Sequence, residues 1–441
     1  MREEGVRIMQ ERTRISSSCF FWGISPITSC RKTSTWLFAL FFLIWMNQSV
    51  LGGSMEALIV KGITPVGHLD IEGGGMVDVQ GSLAVIGHME PPFATSILDV
   101  SDPSQPRVLS RIKTRPGTHS HKARLCGNIL VTNAEVYGGW KPGDKAGLAF
   151  FDISNPAQPK EVAFMEMGGF ETGGTGVHRF QLDCERKLIY ASASANGYQG
   201  NITMIVDFAD AGKPEEAGRW WHPGQWVAGG EKPTWQGTEV RTHHPNRWGD
   251  RLYVPLWGGG FSIVDITDLK KPRTISHFDY HPAYSWPTHT ALPVGHKILG
   301  RNWLVVFDEA VGGNTSPPAF MWIFDITDET KPVPVATFQV SEKEKQRLGE
   351  GRFGAHQPHE YVGPDNLVYA TWFSGGLRVV DISNPYRPEE VASYVPKPAP
   401  GFRSAQTNDV FVDGKGLIYI IDRNNGLDIL KLSRPVKSTG P

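Results

Sequence analysis

A short repeated motif constrains the fold of this 441-residue chain more than any other feature of its sequence. In each copy an apolar run ends in Asp, and a polar turn ending in Pro follows. The copies read TSILDVSDPSQP from Thr95, LAFFDISNPAQP from Leu148, TMIVDFADAGKP from Thr203, FSIVDITDLKKP from Phe261, MWIFDITDETKP from Met321 and LRVVDISNPYRP from Leu377, with a degenerate LDILKLSRP from Leu427. The Asp, replaced by Lys431 in the last copy, recurs every 50 to 60 residues. A period of this length with several short strands per unit is typical of β-propeller blades.

The two ends of the chain predict how such a ring closes. The last unit stops just after Pro435, before its outer strand could form. The segment ITPVGHLDI at 63–71 resembles those outer strands, although it precedes the first unit. The N-terminal segment can therefore complete the final blade, which removes exposed sheet edges. We predict an all-β fold, a seven-bladed β-propeller over residues 55–441 that is closed by its N-terminal strand.

The marker, an apolar run that ends in Asp and is followed by a turn, resembles that of the LVIVD-repeat proteins, a family of β-propellers. The resemblance covers residues from about 63 to 435 and implies the propeller fold. It leaves the function open, because packing and turn residues define the repeat. We expect each marker Asp to accept hydrogen bonds from backbone N–H groups of its own turn, and we assign it no catalytic role.

The first 54 residues differ from the rest of the chain. Arg31 and Lys32 precede an apolar run from Trp36 to Met46, and small residues follow it. This order is typical of a secretory signal, and the run is too short to span a bilayer comfortably. We predict a secreted or periplasmic protein with no membrane span in its mature form. A retained signal anchor is the alternative.

Charge and cysteine content narrow the function classes. The net charge is −1 and no basic stripe is present, so nucleic-acid binding is not expected. No cysteine spacing typical of a zinc site occurs. After removal of the signal, Cys126 and Cys184 remain. Both are predicted to lie in turns of successive repeats, and the sequence leaves open whether they form a disulfide.

Histidines recur where the strand that lines the channel of a propeller is expected to begin. The seven corresponding positions are Asp78, His121, His178, His243 or His244, His289, His359, and Asn408 or Asp409. Blade packing gives no reason for a histidine at five of seven such positions. Neutral imidazoles around an axis can bind a transition metal and leave coordination positions open for substrate or oxygen. We therefore predict metal ligation by His121, His178, His243, His289 and His359.

Charged neighbours of these histidines are candidates for supporting roles. Glu239 and Glu360 lie close to His243 and His359 in the sequence, where a carboxylate can orient the second imidazole nitrogen. Arg179 and Arg241 could bind an anionic substrate or neutralise the carboxylates. Long insertions rich in aromatic residues are expected on the same face, where they would form a pocket for a small, partly apolar molecule or contact a protein partner.

Three functions fit these observations. The first is an exported metal-dependent enzyme, preferably an oxidoreductase rather than a hydrolase or lyase. An all-histidine ligand set suits iron or copper, although zinc and manganese are possible. The second is a non-enzymatic binding platform in the periplasm or at the cell surface. The third is a metal-independent hydrolase that uses a His/Glu acid–base pair.

Overall fold

The computed structural model describes residues 57–235, 239–312, 318–348 and 351–433. The predicted signal region lies outside these residues. Two strands precede the first repeat unit: β1 Ala57–Lys61 and β2 Ile63–Leu69. The strands that follow form seven antiparallel sheets, one for each copy of the marker motif. The predicted seven-bladed β-propeller is confirmed.

The strands follow the repeat units in order along the chain. Blade one contains β3 Gly74–Gln80, β4 Leu83–His88, β5 Phe93–Asp99 and β6 Arg107–Lys113. Blade two contains β7 Thr118–His119, β8 Ala123–Cys126, β9 Ile129–Val136, β10 Gly147–Asp152 and β11 Lys160–Glu166. Blade three contains β12 Val177–Asp183, β13 Leu188–Ser194, β14 Asn201–Asp207 and β15 Glu215–Trp220. Blade four contains β16 Asn246–Trp248, β17 Arg251–Pro255, β18 Phe261–Asp265 and β19 Arg273–Phe278.

Blade five contains β20 Thr288–Pro293, β21 Trp303–Asp308, β22 Met321–Asp325 and β23 Val333–Phe338. A helix, α1 Glu342–Leu348, precedes blade six, which contains β24 Leu367–Thr371, β25 Leu377–Asp381 and β26 Glu389–Pro396. Blade seven contains β27 Thr407–Val412, β28 Leu417–Asp422 and β29 Gly426–Leu432. Single 3₁₀ turns occur at Phe170–Thr172 and Val227–Gly229. Among the described residues, no helix has the length and apolar character needed to cross a bilayer.

The N-terminal strands close the ring. Strand β2 pairs antiparallel with β29, so the outer strand of blade seven comes from the start of the propeller, as predicted. Strand β1 pairs with β26 and extends blade six at its outer edge, a role that the sequence did not indicate. The N-terminal segment therefore adds one outer strand to blade six and one to blade seven. Both strands cover sheet edges that would otherwise be exposed.

The marker aspartates cap their turns as expected. In all six copies with Asp, the carboxylate accepts a hydrogen bond from the backbone N–H two residues later, over 2.7 to 2.9 Å. Asp265, for example, also accepts from the Thr267 hydroxyl, and these bonds lower the pKa of its carboxyl to about 2. The motif thus determines local turn structure at the outer part of each blade, away from the channel.

Neighbouring blades pack through buried aliphatic and aromatic side chains. Phe150 of blade two and Phe180 of blade three, for instance, belong to one cluster that fills the space between their sheets. The same two blades are joined by a disulfide between Cys126 and Cys184, whose Cα atoms are 5.6 Å apart. The pairing that the sequence left open is therefore present in the structure.

The inner edge of the blades carries the feature that determines the channel lining. In four blades one residue is inserted between two that pair with consecutive residues of the adjacent strand. These inserted residues are Gly75, His178, His289 and Asn408. At the corresponding positions of blades two, four and six stand His121, His243 and His356. Such β-bulges redirect a side chain, and here they turn His178 and His289 towards the same axis as His121, His243 and His356.

Candidate metal centre

Five histidines from consecutive blades form a continuous arc around the channel. The arc consists of His121, His178, His243, His289 and His356, and we call it the histidine arc. Successive ring centroids are 5.0, 4.6, 4.4 and 4.5 Å apart. His119 stacks on one end at 4.5 Å, and Phe373 packs against the other end at 4.3 Å. The arc covers blades two to six, and Asn408 and Gly75 occupy the remaining two positions.

Hydrogen bonds to Nδ1 orient the arc. The Nδ1 atom of His243 donates to the backbone oxygen of His289 over 2.9 Å, and that of His356 donates to the backbone oxygen of Asn408 over 2.7 Å. Both contacts require the proton on Nδ1, because a carbonyl oxygen can only accept. The Nδ1 of His178 faces the carboxylate of Glu135 at 2.8 Å, which places its proton on the same atom. In these neutral rings the Nε2 atom therefore carries a lone pair.

Two of these lone pairs meet. The Nε2 atoms of His178 and His243 are 2.9 Å apart, and neither atom has a proton to donate in the neutral tautomer set by Nδ1. A cation between them would turn this repulsive contact into a favourable one. Two nitrogens that each lie about 2.0–2.1 Å from one ion, at a right angle, are about 2.9 Å apart. The contact therefore fits two ligands of one metal ion.

Burial keeps the arc unprotonated. It is the largest influence on every arc histidine and lowers the pKa of each, well below the usual range in all cases except His178, where the shift is smaller. For His243 the positive charges of nearby groups act in the same direction. Neutral imidazole is the form that binds metal, so these rings are ready to act as ligands near neutral pH.

Two carboxylates complete the lining at opposite ends of the arc. Glu135 accepts hydrogen bonds from Thr175 Oγ1 and His178 Nδ1, both at 2.8 Å, and lies 3.0 Å from Nε2 of His119. Burial would raise the pKa of Glu135, but the histidines around it outweigh that effect and hold it well below its usual range. Glu309 lies 3.8 Å from His289 and forms an ion pair with Arg352.

Two sets of possible ligand atoms result from this arrangement. One set comprises His119, His121 and Glu135, and the other comprises His243, His289 and Glu309. Within each set the ligand atoms lie within 4.8 Å of one another. Such mixed nitrogen and oxygen sets suit first-row transition metals.

The prediction that His359 is one of the five channel histidines is wrong. Its Nδ1 accepts a hydrogen bond from the backbone N–H of Val412 over 3.3 Å, and its ring packs edge-on against Phe411 at 5.2 Å. The blade-six histidine of the arc is instead His356, three residues earlier. The ring position in blade six was inferred from its distance to the next apolar strand. An extended Gly-Pro-Asp-Asn turn precedes β24 and lengthens that distance, so the inferred position lies three residues too late.

Glu360 and Arg179 lie in a second, deeper cluster. One Glu360 oxygen accepts from His244 Nε2 at 2.9 Å and from Arg179 at 2.6 Å, and it also contacts Arg124. The charges of Arg124 and Arg179 and the hydrogen bond from His244 outweigh the effect of burial and hold the pKa of Glu360 well below its usual range. Glu360 therefore orients His244, not His359 as expected. The sequence left open whether His243 or His244 faces the channel. In the structure His243 belongs to the histidine arc, and His244 belongs to the cluster around Glu360.

Glu239 and Arg241 lie at the rim of the channel. Arg241 stacks over Trp257 at 4.6 Å, and Trp257 packs against His243 at 4.9 Å. The Arg241 Nε is 3.8 Å from the carboxylate of Glu239, whose side chain is 40% exposed. Glu239 thus pairs with Arg241 and does not contact a ring nitrogen of His243.

Sequence reasoning missed His356, Glu135 and Glu309. The two carboxylates share a position that could have identified them, because Glu135 is near the end of β9 and Glu309 directly follows β21. Each therefore lies at or just beyond the end of the strand that pairs with the inner strand of its blade.

The fold and the channel lining together define a seven-bladed β-propeller with a ring of buried histidines. Matches to the LVIVD repeat cover residues 95–114, 143–165, 248–279, 365–395 and 404–437. Each matched segment contains one of the marker positions in blades one, two, four, six and seven. The chain thus carries LVIVD repeats in five of its seven blades, consistent with an LVIVD-repeat β-propeller.

Solved structures support the same architecture. The Cps50 (Swd1) β-propeller domain of Myceliophteria thermophila is 14% identical, with a TM-score of 0.51, over 85% of this chain and 100% of that chain. The RRP9 WD40 repeats are 10% identical with a TM-score of 0.54, over 84% and 99%. U3-55K is 10% identical with a TM-score of 0.53, over 84% and 98%. At these identities the likeness concerns the fold alone. No curated protein matches the sequence.

Proposed function

We propose that the histidine arc binds a transition metal ion and that the protein is a metal-dependent oxidoreductase acting on a small, partly apolar molecule. The observation that carries this proposal is the 2.9 Å contact between Nε2 of His178 and Nε2 of His243. Both rings direct a lone pair into the contact, and both have lowered pKa values. A bound cation is the simplest partner for such a pair.

The ligand set favours a redox-active metal. His178 and His243 provide two imidazole nitrogens, and His289 and His356 follow them along the arc at 4.4 and 4.5 Å. A centre rich in neutral imidazole suits iron or copper, which supply redox chemistry, and also accommodates zinc or manganese. Preference for oxidation over hydrolysis rests on this ligand chemistry.

The chain's own residues would orient and isolate the centre. Backbone oxygens hold His243 and His356 in one tautomer, and Glu135 does the same for His178. Such partners keep the ligand rings in place and increase their basicity. Trp257 and Phe373 cover the arc from the side and from one end, which limits access of water.

Export belongs to the same proposal. The Cys126–Cys184 disulfide is compatible with an oxidising compartment, and the apolar run from Trp36 to Met46 has the composition of a secretory signal. Both features support a secreted or periplasmic location.

Elemental analysis of untagged protein purified from its native compartment tests the proposal. We expect about one iron, copper, zinc or manganese ion per chain, and iron or copper would direct assays towards oxidation. Absence of metal, together with no uptake on reconstitution, would contradict the proposal. That outcome would favour the binding platform or an acid–base hydrolase, and sensitivity of one His–Glu pair to mutation would separate these two.

A further inference from the structure

A pocket of about 430 Å³ lies next to the part of the ring that lacks histidines. Its walls come from blades seven, one and two, whereas the histidine arc covers blades two to six. His119, which stacks on the end of the arc, is one of the lining residues. A molecule in this pocket would therefore contact His119 and, through it, the end of the arc, next to the two ring positions occupied by Asn408 and Gly75.

Aromatic and other apolar side chains form a large part of the pocket wall. Phe93 and Met89 form part of its wall, and Tyr137 and Phe402 stand at its opening. The latter two side chains are 44% and 53% exposed, respectively. Tyr137 also packs against His119 at 5.2 Å, which links the apolar wall to the arc. Exposed aromatic residues around a concave site are typical of surfaces that bind a ligand.

Arg423 lines this pocket and forms no ion pair within the described part of the chain. The Nε atom of Arg423 donates to the side-chain oxygen of Asn408 over 2.7 Å, and the guanidinium lies 5.7 Å from the Phe373 ring. Among the residues that the structure describes, no carboxylate lies within ion-pair distance of Arg423. Burial, and then the positive charge of Arg352, lowers the pKa of Arg423 to about 10 against the opposing charges of Glu309 and Asp422, so Arg423 remains charged at neutral pH.

A second arginine lies at the opening of the pocket. Arg111 is exposed, stacks over Phe93 at 4.9 Å, and has no ion pair within the described part of the chain. The two acidic lining residues, Glu72 and Glu90, are both exposed at the outer edge. The pocket is therefore positive at its base and mixed in charge at its rim. This distribution favours a ligand whose anionic group enters first.

We infer that this pocket binds a small molecule with a planar apolar body and a carboxylate, the carboxylate against Arg423 and the body along Phe93, Tyr137 and Phe402. Arginine can hold a carboxylate through two parallel hydrogen bonds, which fixes the orientation of the ligand as well as its charge. The inference that such a molecule is the substrate rests on the proposed function. The binding itself requires only the pocket.

Isothermal titration calorimetry with a matched pair of probes tests the inference. Phenylacetate and 2-phenylethanol share the apolar ring and differ in the charged group. We expect wild-type protein to bind phenylacetate at least tenfold more tightly than 2-phenylethanol. R423Q should lose that preference, and R423K should retain part of it because the charge remains. R387Q, which alters an exposed arginine paired with Glu389 in blade six, serves as the control and should bind like wild type.

The outcomes separate the inference from the proposed function, because metal content is measured on the same samples. Equal affinity for the two probes, or an unchanged preference in correctly folded R423Q, would overturn the inference even in a metal-loaded protein. A preference for phenylacetate that disappears in R423Q supports it, even if the protein contains no metal. Circular dichroism of each variant shows whether the propeller has folded.

Discussion

His178 and His243 belong to neighbouring blades, and their Nε2 atoms lie 2.9 Å apart with no proton between them in the neutral tautomers. Each ring is held from its other nitrogen, by Glu135 in one case and by a backbone oxygen in the other. The protein thus fixes two hydrogen-bond acceptors in contact inside a buried channel, where such a contact costs free energy unless a cation is present.

Replacing both residues of the pair should abolish metal binding. In H178A/H243A we expect metal content to fall from about one ion per chain to below a tenth of that value, because two adjacent ligands are lost. H359A is the matched control, since His359 lies outside the arc, and it should keep its metal. Elemental analysis after dialysis measures the effect, and circular dichroism checks the fold. Full metal content in the double variant would refute the assigned site.

Glu135 is expected to increase the affinity for metal by orienting His178, even if it is not itself a ligand. E135Q removes the carboxylate that accepts from His178 and is expected to weaken metal binding by about 10- to 100-fold. E239Q is the control, because Glu239 is partly exposed and contacts Arg241 at the rim. Competition with a chelator of known affinity measures both variants. Equal affinity of E135Q and wild type would show that His178 needs no support from Glu135.

The buried His244 should make the metal-free protein less stable in acid. Burial, and then the charge of Arg179, lowers its pKa to about 3, below the value of a histidine in the unfolded chain. The unfolded state therefore binds a proton that the native state does not, and the free energy of unfolding decreases as the pH falls from about 6.5 towards 3. Between pH 7.5 and 5.5 this residue should account for a decrease on the order of 1 kcal/mol.

Urea denaturation of wild type and H244Q, both in the presence of a chelator, tests this pH dependence. The stability difference between pH 7.5 and 5.5 should be smaller in H244Q than in wild type, whatever the absolute stability of the variant. H296Q is a suitable control, because His296 is a partly buried histidine outside the channel that pairs with Asn366. An identical pH dependence in wild type and H244Q would show that His244 is protonated as readily in the native state as in the unfolded state.

Gly75 occupies the blade-one position of the ring because no side chain fits there. A Cβ atom at this position would lie 2.7 Å from Cβ of His121 and 2.8 Å from Sδ of Met89. We expect G75A to destabilise the protein by about 1–3 kcal/mol, the usual cost of overpacking. G414A should be neutral within about 0.5 kcal/mol, because no atom lies within 4 Å of its added Cβ. Chemical denaturation compares them, and equal stability of the two variants would contradict the crowding at Gly75.

The sequence predicted the fold well because turn chemistry and strand patterning repeat with the blade. The marker Asp, the number of units and the closing segment each depend on local or periodic features, and all three are found in the structure. The arc was predicted in four blades for the same reason. In blade six a longer turn separates the ring position from the next strand. The sequence therefore pointed to His359, whereas the structure has His356 at this position.

The supporting residues were harder to predict because their partners are distant in the sequence. Glu360 was expected beside His359, but it meets His244, which lies 116 residues away, across the channel. Glu135 contacts His178 from the preceding blade. A carboxylate next to a histidine in the chain need not be next to it in space, because adjacent residues on the inner strand project towards different layers of the channel.

The closure of the ring by β2 also has a consequence for biosynthesis. All five arc histidines lie between residues 121 and 356, so every side chain of the arc is already present when the ribosome has completed blade six. Blade seven, which carries Arg423 and one wall of the pocket, cannot pair with β2 until β29 has been made. The histidine side of the channel is therefore completely synthesised first, and the side that carries Arg423 is synthesised last, where the two ends of the propeller meet.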